Sequence, residues 1–191
     1  MANIFIDCGS NLGQGLRQIA LIHHMDASWI VETFEPNPYL IKDLTANLSV
    51  LPLNITIHNK AVWDEDGEVS FSVMLEESEG SSVEKLMAVA ECADQQSGSF
   101  RKHDHIITVP SVDISTVLKA YTKEDRIVVK LDIEGSEFCV LRKMLADDTM
   151  DLVNELYIEW HTKYINGESK ETEAALIQQI SARGVQIHGW H

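Results

Sequence analysis

The chain has 191 residues, 45% of them hydrophobic, and sets 30 acidic against 15 basic side chains for a net charge of −15. That length fits one domain, 1–191, with a full core, while the charge argues against nucleic acid as a partner, since phosphate binding draws its affinity from clustered Lys and Arg. Cys8, Cys92 and Cys139 are dispersed and outside CxxC spacing, so they read as reduced thiols rather than disulfides or zinc ligands.

Neither a signal peptide nor an apolar run of membrane-spanning length is apparent, so a cytoplasmic protein without a membrane partner is expected. From the start, Ile4 to Gly15 reads IFIDCGSNLGQG: a buried strand ending on Asp7, a turn punctuated by Gly9, Gly13 and Gly15, and a helix start. Such a turn offers backbone N–H groups at a helix N-terminus to a ligand; the same glycines also let strand and helix pack closely. Leu12, Leu16, Ile19, Ala20 and His23 then share one helical face.

Trp29 to Phe34 is a second buried strand, stopped by Glu35-Pro36-Asn37-Pro38, with Pro38 suited to opening a helix that carries Leu40, Ile41, Leu44, Leu48 and Leu51. Asn54 to His58 is a third strand. The turn Asp64 to Gly67 leads into alternating Val69, Phe71 and Val73, which predicts a small antiparallel excursion. Residues 76–105 are the least regular part, a candidate lid or substrate loop with disorder as the alternative for Glu76 to Ser82.

A strand resumes at Ile106 to Val112, and Asp113 caps a helix through Val117, Leu118 and Tyr121. Arg126 to Asp132 is a strongly apolar strand ending on a carboxylate, followed by a helix with Phe138, Leu141, Met144 and Leu145. Glu155 to Trp160, a helix with Ala174, Ile177 and Ile180, and a strand at Val185 to His188 close the chain. Strands that are near-continuous apolar runs alternating with helices predict a mostly parallel α/β sheet covered on both faces. The ligand of such a sheet sits beyond the carboxyl ends of the strands.

Polar groups collect at those ends: Asp7, Glu35, Asn59, Asp132, Glu159 and His161. Glu35 lies where an acid accepts hydrogen bonds from both hydroxyls of an adenosine ribose. Asp7, ahead of the glycine turn, would repel a pyrophosphate, and the spacing GxxxGxG departs from the dinucleotide fingerprint. A carboxylate there suits a cationic ligand, so charge favours S-adenosylmethionine over NAD.

The segments FIDCGSNLGQ, TFEPNP, NKAVWDEDGEVSF, SVDISTVL and VVKLDIEGSEFCVLRKML, in this order and spacing, resemble the FkbM-like S-adenosylmethionine-dependent methyltransferases from about Ile4 to His161. The resemblance implies a Rossmann-like class I methyltransferase fold that is short at both termini. It implies that Asp7, Gly9, Asn11 and Gly13, with Ser10 of the same turn, hold the methionine part. Glu35 and its neighbour Pro36 serve the ribose; Asn59, Ala61 and Val62 lie by the adenine; Asp132 sits beneath the sulfur. It further implies O-methylation of a sugar or small-molecule hydroxyl, with a homodimer or partner protein covering the acceptor side.

An alcohol acceptor needs a base, and Asp132, Glu134, Glu159 and His161 are the candidates; His161, with carboxylates holding its pKa near the working range, is the best titratable group among them. Asp132, Glu159 and His161 also form a candidate ligand set for a divalent metal such as Mg²⁺ or Mn²⁺. Two rival readings are an NAD-dependent oxidoreductase on a similar sheet and a non-catalytic binding module of the same fold.

Overall fold

Strand β1 (Asn3–Cys8) is fully buried after its first residue, and its alternation divides two cores. Ile4, Ile6 and Cys8 belong to one hydrophobic cluster and Phe5 to the other. Burial on both faces explains why the strand reads as an unbroken apolar run. This computed structural model describes residues 1–73, 105–165 and 167–190. The candidate lid at 76–105, with Cys92, lies outside the described residues save for its last position.

Six strands form the main sheet in the order β3-β2-β1-β7-β8-β9. They are β2 (Trp29–Phe34), β3 (Asn54–His58), β7 (Arg126–Leu131), β8 (Glu155–Ile158) and β9 (Gln186–Gly189) beside β1, and every neighbouring pair is parallel. From α1 (Gln14–Ile22) and α2 (Ile41–Leu48), Leu16, Ile19, Leu44 and Leu48 pack with Phe5, Val31 and Val128. Across the sheet, α3 (Ile114–Leu118), α4 (Glu137–Ala146) and α5 (Lys170–Ala182) bury Leu118, Phe138, Leu141 and Ile180 against Ile4, Ile6 and Val129. This is the expected doubly covered, Rossmann-like α/β architecture. The chain leaves β1 toward β2 on one side and reaches β7 on the other, so the strand order reverses between β1 and β7. A crevice opens at that switch point.

There is a second sheet of three strands, ordered β4-β6-β5. β5 (Gly67–Val73) pairs antiparallel with β6 (His105–Asp113), which is the excursion the turn at Gly67 predicts. The strand expected at Ile106 to Val112 is β6, and it is the central strand of this side sheet, pairing also in parallel with β4 (Ala61–Trp63). Apolar periodicity sets the element type but carries nothing about which strand it pairs with.

Boundaries shift in places. The helix after Pro38 starts only at Ile41, behind a turn in which the Leu40 N–H donates to Asn37 O. Tyr121 lies past α3, and β8 ends at Ile158. Asp113 caps α3 as expected, accepting from the Ser115 N–H at 2.7 Å. No helix among the described residues is long and apolar enough to cross a membrane.

Candidate active site

The glycine turn after β1 is tied down from both sides. The Gly9 and Ser10 N–H groups donate to Phe34 O at the end of β2, and the Asp132 N–H donates to Cys8 O. Gly9 has φ +81, and a Cβ there would stand 1.7 Å from the Asp132 carbonyl oxygen, so the turn can touch the end of β7 only as glycine. Gly13, at φ +88, is pressed against Leu48 of α2, which assigns it to helix packing rather than to the crevice. Asn11 takes a left-handed backbone, φ 51, at the crevice wall.

Asp7 does not face the crevice. It is completely buried; the hydroxyls of Ser10 and Thr33 lie 2.6 and 2.9 Å from its Oδ2, and the Lys130 ammonium lies 3.4 Å from its Oδ1. The expectation that Asp7 meets a cationic ligand directly is therefore corrected: its charge is answered from within the protein. Lys130 is the residue that sequence reasoning missed. It is 2% exposed, donates to Gly9 O at 2.9 Å and reaches Asp132 Oδ2 at 3.3 Å. Burial would lower its pKa, but Asp7 and Asp132 outweigh that and hold it raised. The signal was available as one Lys inside the apolar run RIVVKL. Cys8 beside it has its thiol pushed well up by burial and then by Asp7, which makes it an inert filler.

Glu35 follows β2 and lines the crevice with both oxygens anchored: Oε2 accepts from the Asn11 N–H at 2.7 Å and Oε1 from the Asn37 N–H at 2.8 Å. Burial pushes its carboxyl up to about 7, against the pull of those two N–H groups. Each oxygen keeps a second acceptor position. Asn59 stands behind this segment, donating through Nδ2 to the carbonyls of Glu35 and Pro36. It braces the wall and is not part of it. Pro36, Leu40, Ala61, Val62 and Phe71 make an apolar slot beside Glu35.

The end of β7 supplies the other wall, Asp132, Ile133, Glu134 and Ser136. Glu134 has φ 54, a strained position for a non-glycine residue. Its Oε2 lies 3.4 Å from His161 Nε2; Glu159 Oε1 is 3.8 Å from the same nitrogen. On the far side, His161 Nδ1 meets Oε1 of the fully buried Glu137 at 2.9 Å, and that oxygen also accepts from the Ile133 N–H. Burial works to lower the His161 pKa, but the Glu137 bond and the three carboxylates raise it to about 9. That value lies above the working range expected for it, and the ionised carboxylates favour the protonated ring. Glu134 is pushed up to about 7, chiefly by burial and against the pull of His161.

One carboxylate oxygen each from Asp132 and Glu134 and one ring nitrogen of His161 lie within 4.8 Å of one another. Glu134 takes the place that the expected metal set gave to Glu159. About 670 Å³ of space lies between these walls, part of it open solvent. The crevice brings together Gly9, Asn11, Glu35, Pro36, Ala61, Val62, Asp132 and Glu134 of the expected residues, and leaves Asp7, Ser10, Gly13, Asn59, Glu159 and His161 behind or beside its walls. Two buried wall atoms, Asn37 Nδ2 and Ser136 Oγ, have no hydrogen-bond partner among the described residues.

The family profile described as the methyltransferase FkbM domain matches residues 7–185. No curated protein and no solved structure gives a match.

Proposed function

We propose that this chain, which belongs to the FkbM methyltransferase family, uses S-adenosylmethionine as its methyl donor and methylates a hydroxyl of a sugar or other small molecule. The observation that carries the reading is Glu35: a buried carboxylate, fixed by two backbone N–H groups and open toward an apolar slot, suits the paired hydroxyls of an adenosine ribose. Asn37 Nδ2 and Ser136 Oγ, without a partner among the described residues, fit a polar ligand lying between the Glu35 wall and the Asp132 wall.

The fit in sign is also good. The walls carry the carboxylates of Glu35, Asp132 and Glu134, and among the described residues no Lys or Arg lines the crevice, an arrangement that favours a cationic ligand over a diphosphate. When bound, S-adenosylmethionine supplies a methyl group on an electron-poor sulfonium.

The chain's own part is positioning. Leu40, Ala61, Val62 and Phe71 exclude water from the base, Glu35 holds the ribose, and the Gly9 turn, locked to Asp132 by their close contact, sets the distance between the two walls. Proton removal from the acceptor falls to the carboxylates beside His161, namely Glu134 and Glu159, whose negative charge favours the protonated form of that ring.

The test is incubation with methyl-labelled S-adenosylmethionine and a panel of neutral glycosides and polyols. Label in a base-stable ether is the expected product, and it should vanish in Glu35→Ala. Label on nitrogen, or on no acceptor while the donor is bound, would overturn the hydroxyl assignment.

A further inference from the structure

We propose that Asp132, Glu134 and His161 Nε2 bind a divalent cation at the acceptor end of the crevice. The inference rests on the methyl-transfer reading for its purpose and on the geometry of the wall for its substance.

Three observations support it. First, the donors converge: Glu134 Oε2 is already 3.4 Å from His161 Nε2, and all three donor atoms lie within 4.8 Å. An octahedral ion with bonds of about 2.1 Å needs neighbouring donors roughly 3 Å apart, so small side-chain rotations would close the set. Second, His161 is held as a metal-binding histidine is held. Its Nδ1 meets the fully buried Glu137 carboxylate, which fixes the ring with Nε2 beside Glu134, and the cation would take the place of the Nε2 proton, released to solvent.

Third, buried oxygens beside the trio lack partners among the described residues. Ser136 Oγ, on the same crevice wall and 2% exposed, has no hydrogen bond to any of them, and neither does Glu137 Oε2. Asp7, Asp132, Glu134, Glu137 and Glu159 set five carboxylates against Lys130 and His161, and Lys130 is shared between Asp7 and Asp132. Asp7 and Glu137 are fully buried and the other three half-buried, and this excess of negative charge favours a cation.

Two carboxylate oxygens and one imidazole nitrogen make a hard-to-borderline set suited to Mn²⁺ or Mg²⁺. An acceptor hydroxyl oxygen on such an ion would be held near the methyl donor and would lose its proton more readily. Glu159, outside the donor set and half-buried, is then the nearby carboxylate left to receive that proton.

The experiment is titration of the full chain with Mn²⁺, following the loss of the free ion's electron paramagnetic resonance signal, with S-adenosylhomocysteine affinity measured by calorimetry on the same samples. Saturable binding of one ion per chain is expected, weakened at least tenfold in Glu134→Gln and His161→Ala. Glu137→Gln leaves all three donors in place and should still weaken binding about 10- to 100-fold. If burial makes that variant unstable, the half-buried Glu134→Gln carries the test.

No saturable binding at about 1 mM Mn²⁺, the weak end of protein sites for divalent ions, would overturn the proposal. Equal binding by wild type and both ligand variants would do the same. Homocysteine-compound binding without Mn²⁺ binding removes the cation and leaves the methyl-donor reading standing; the reverse pattern removes the donor reading and leaves the cation.

Discussion

The Lys130 ammonium sits 3.4 Å from Asp7 Oδ1, a buried ion pair joining the two central strands of the sheet at the point where their order reverses. The same ammonium holds the Gly9 carbonyl and Asp132. One cation thus fixes the glycine turn to the end of β7, and the crevice inherits its shape from that lock.

Lys130→Met should therefore destabilise the fold strongly, because it leaves Asp7 buried and unpaired. Breaking one partner of a buried pair costs about 3–5 kcal/mol. Urea denaturation should show this loss, and Asp7→Asn added to Lys130→Met should recover part of it. Equal stability of Lys130→Met and wild type would contradict a stabilising Asp7–Lys130 pair.

Glu35 ties ligand affinity to pH. Its carboxyl is pushed up to about 7 by burial, above the ordinary 4.5. Between those values the folded chain holds a proton that the unfolded chain has lost. Glu35 thus favours folding at low pH, and that contribution is lost as pH rises toward 7. Ligand binding runs the other way, since the ionised carboxylate accepts the ribose hydroxyls better. S-adenosylhomocysteine affinity should fall on acidification below about 7, and Glu35→Gln should lower it about 10- to 100-fold, as for hydrogen bonds to a charged group. A flat pH profile in calorimetry would contradict the assignment.

Ser136→Ala separates folding from binding. Ser136 Oγ is buried without a partner among the described residues and makes no side-chain cap hydrogen bond at the start of α4, so its removal should leave stability within about 0.5 kcal/mol. Affinity for the ligand or for Mn²⁺ should nonetheless drop. Full affinity in the variant would make the hydroxyl a bystander.

Gly9→Ala should fail in both respects. A Cβ would enter the Asp132 carbonyl at 1.7 Å and would sit at φ +81. The left-handed backbone alone costs about 1–2 kcal/mol, and relieving the clash must part the turn from β7. A lower thermal midpoint together with lost S-adenosylhomocysteine binding is expected; binding at wild-type affinity would show that the crevice tolerates a displaced turn.

Much of this was legible in the sequence for a physical reason. β1, β2 and β7 are buried on both faces, so they appear as apolar runs, and β2 and β7 are each followed by a carboxylate at the crevice wall, Glu35 and Asp132, whereas Asp7 lies buried within β1. Glu35 could be placed because the prolines behind it end the strand. What escaped is what depends on pairing in space. β6 has the composition of a sheet strand wherever it pairs. Lys130 looks like an interruption until Asp7 and Asp132 appear on either side of it. Asn59 follows a strand as a site residue would, yet its amide is used up on the carbonyls of Glu35 and Pro36. The exchange of Glu159 for Glu134 beside His161 follows from the left-handed turn at Glu134, which local spacing does not reveal.

The central claim is that the Glu35 crevice takes an adenosyl sulfur compound. Calorimetric titration of the full chain with S-adenosylhomocysteine, and separately with NAD, tests it most directly. The account predicts saturable binding of the first at one site per chain, abolished in Glu35→Ala, and no heat from the second. Binding of NAD with none of S-adenosylhomocysteine would contradict it.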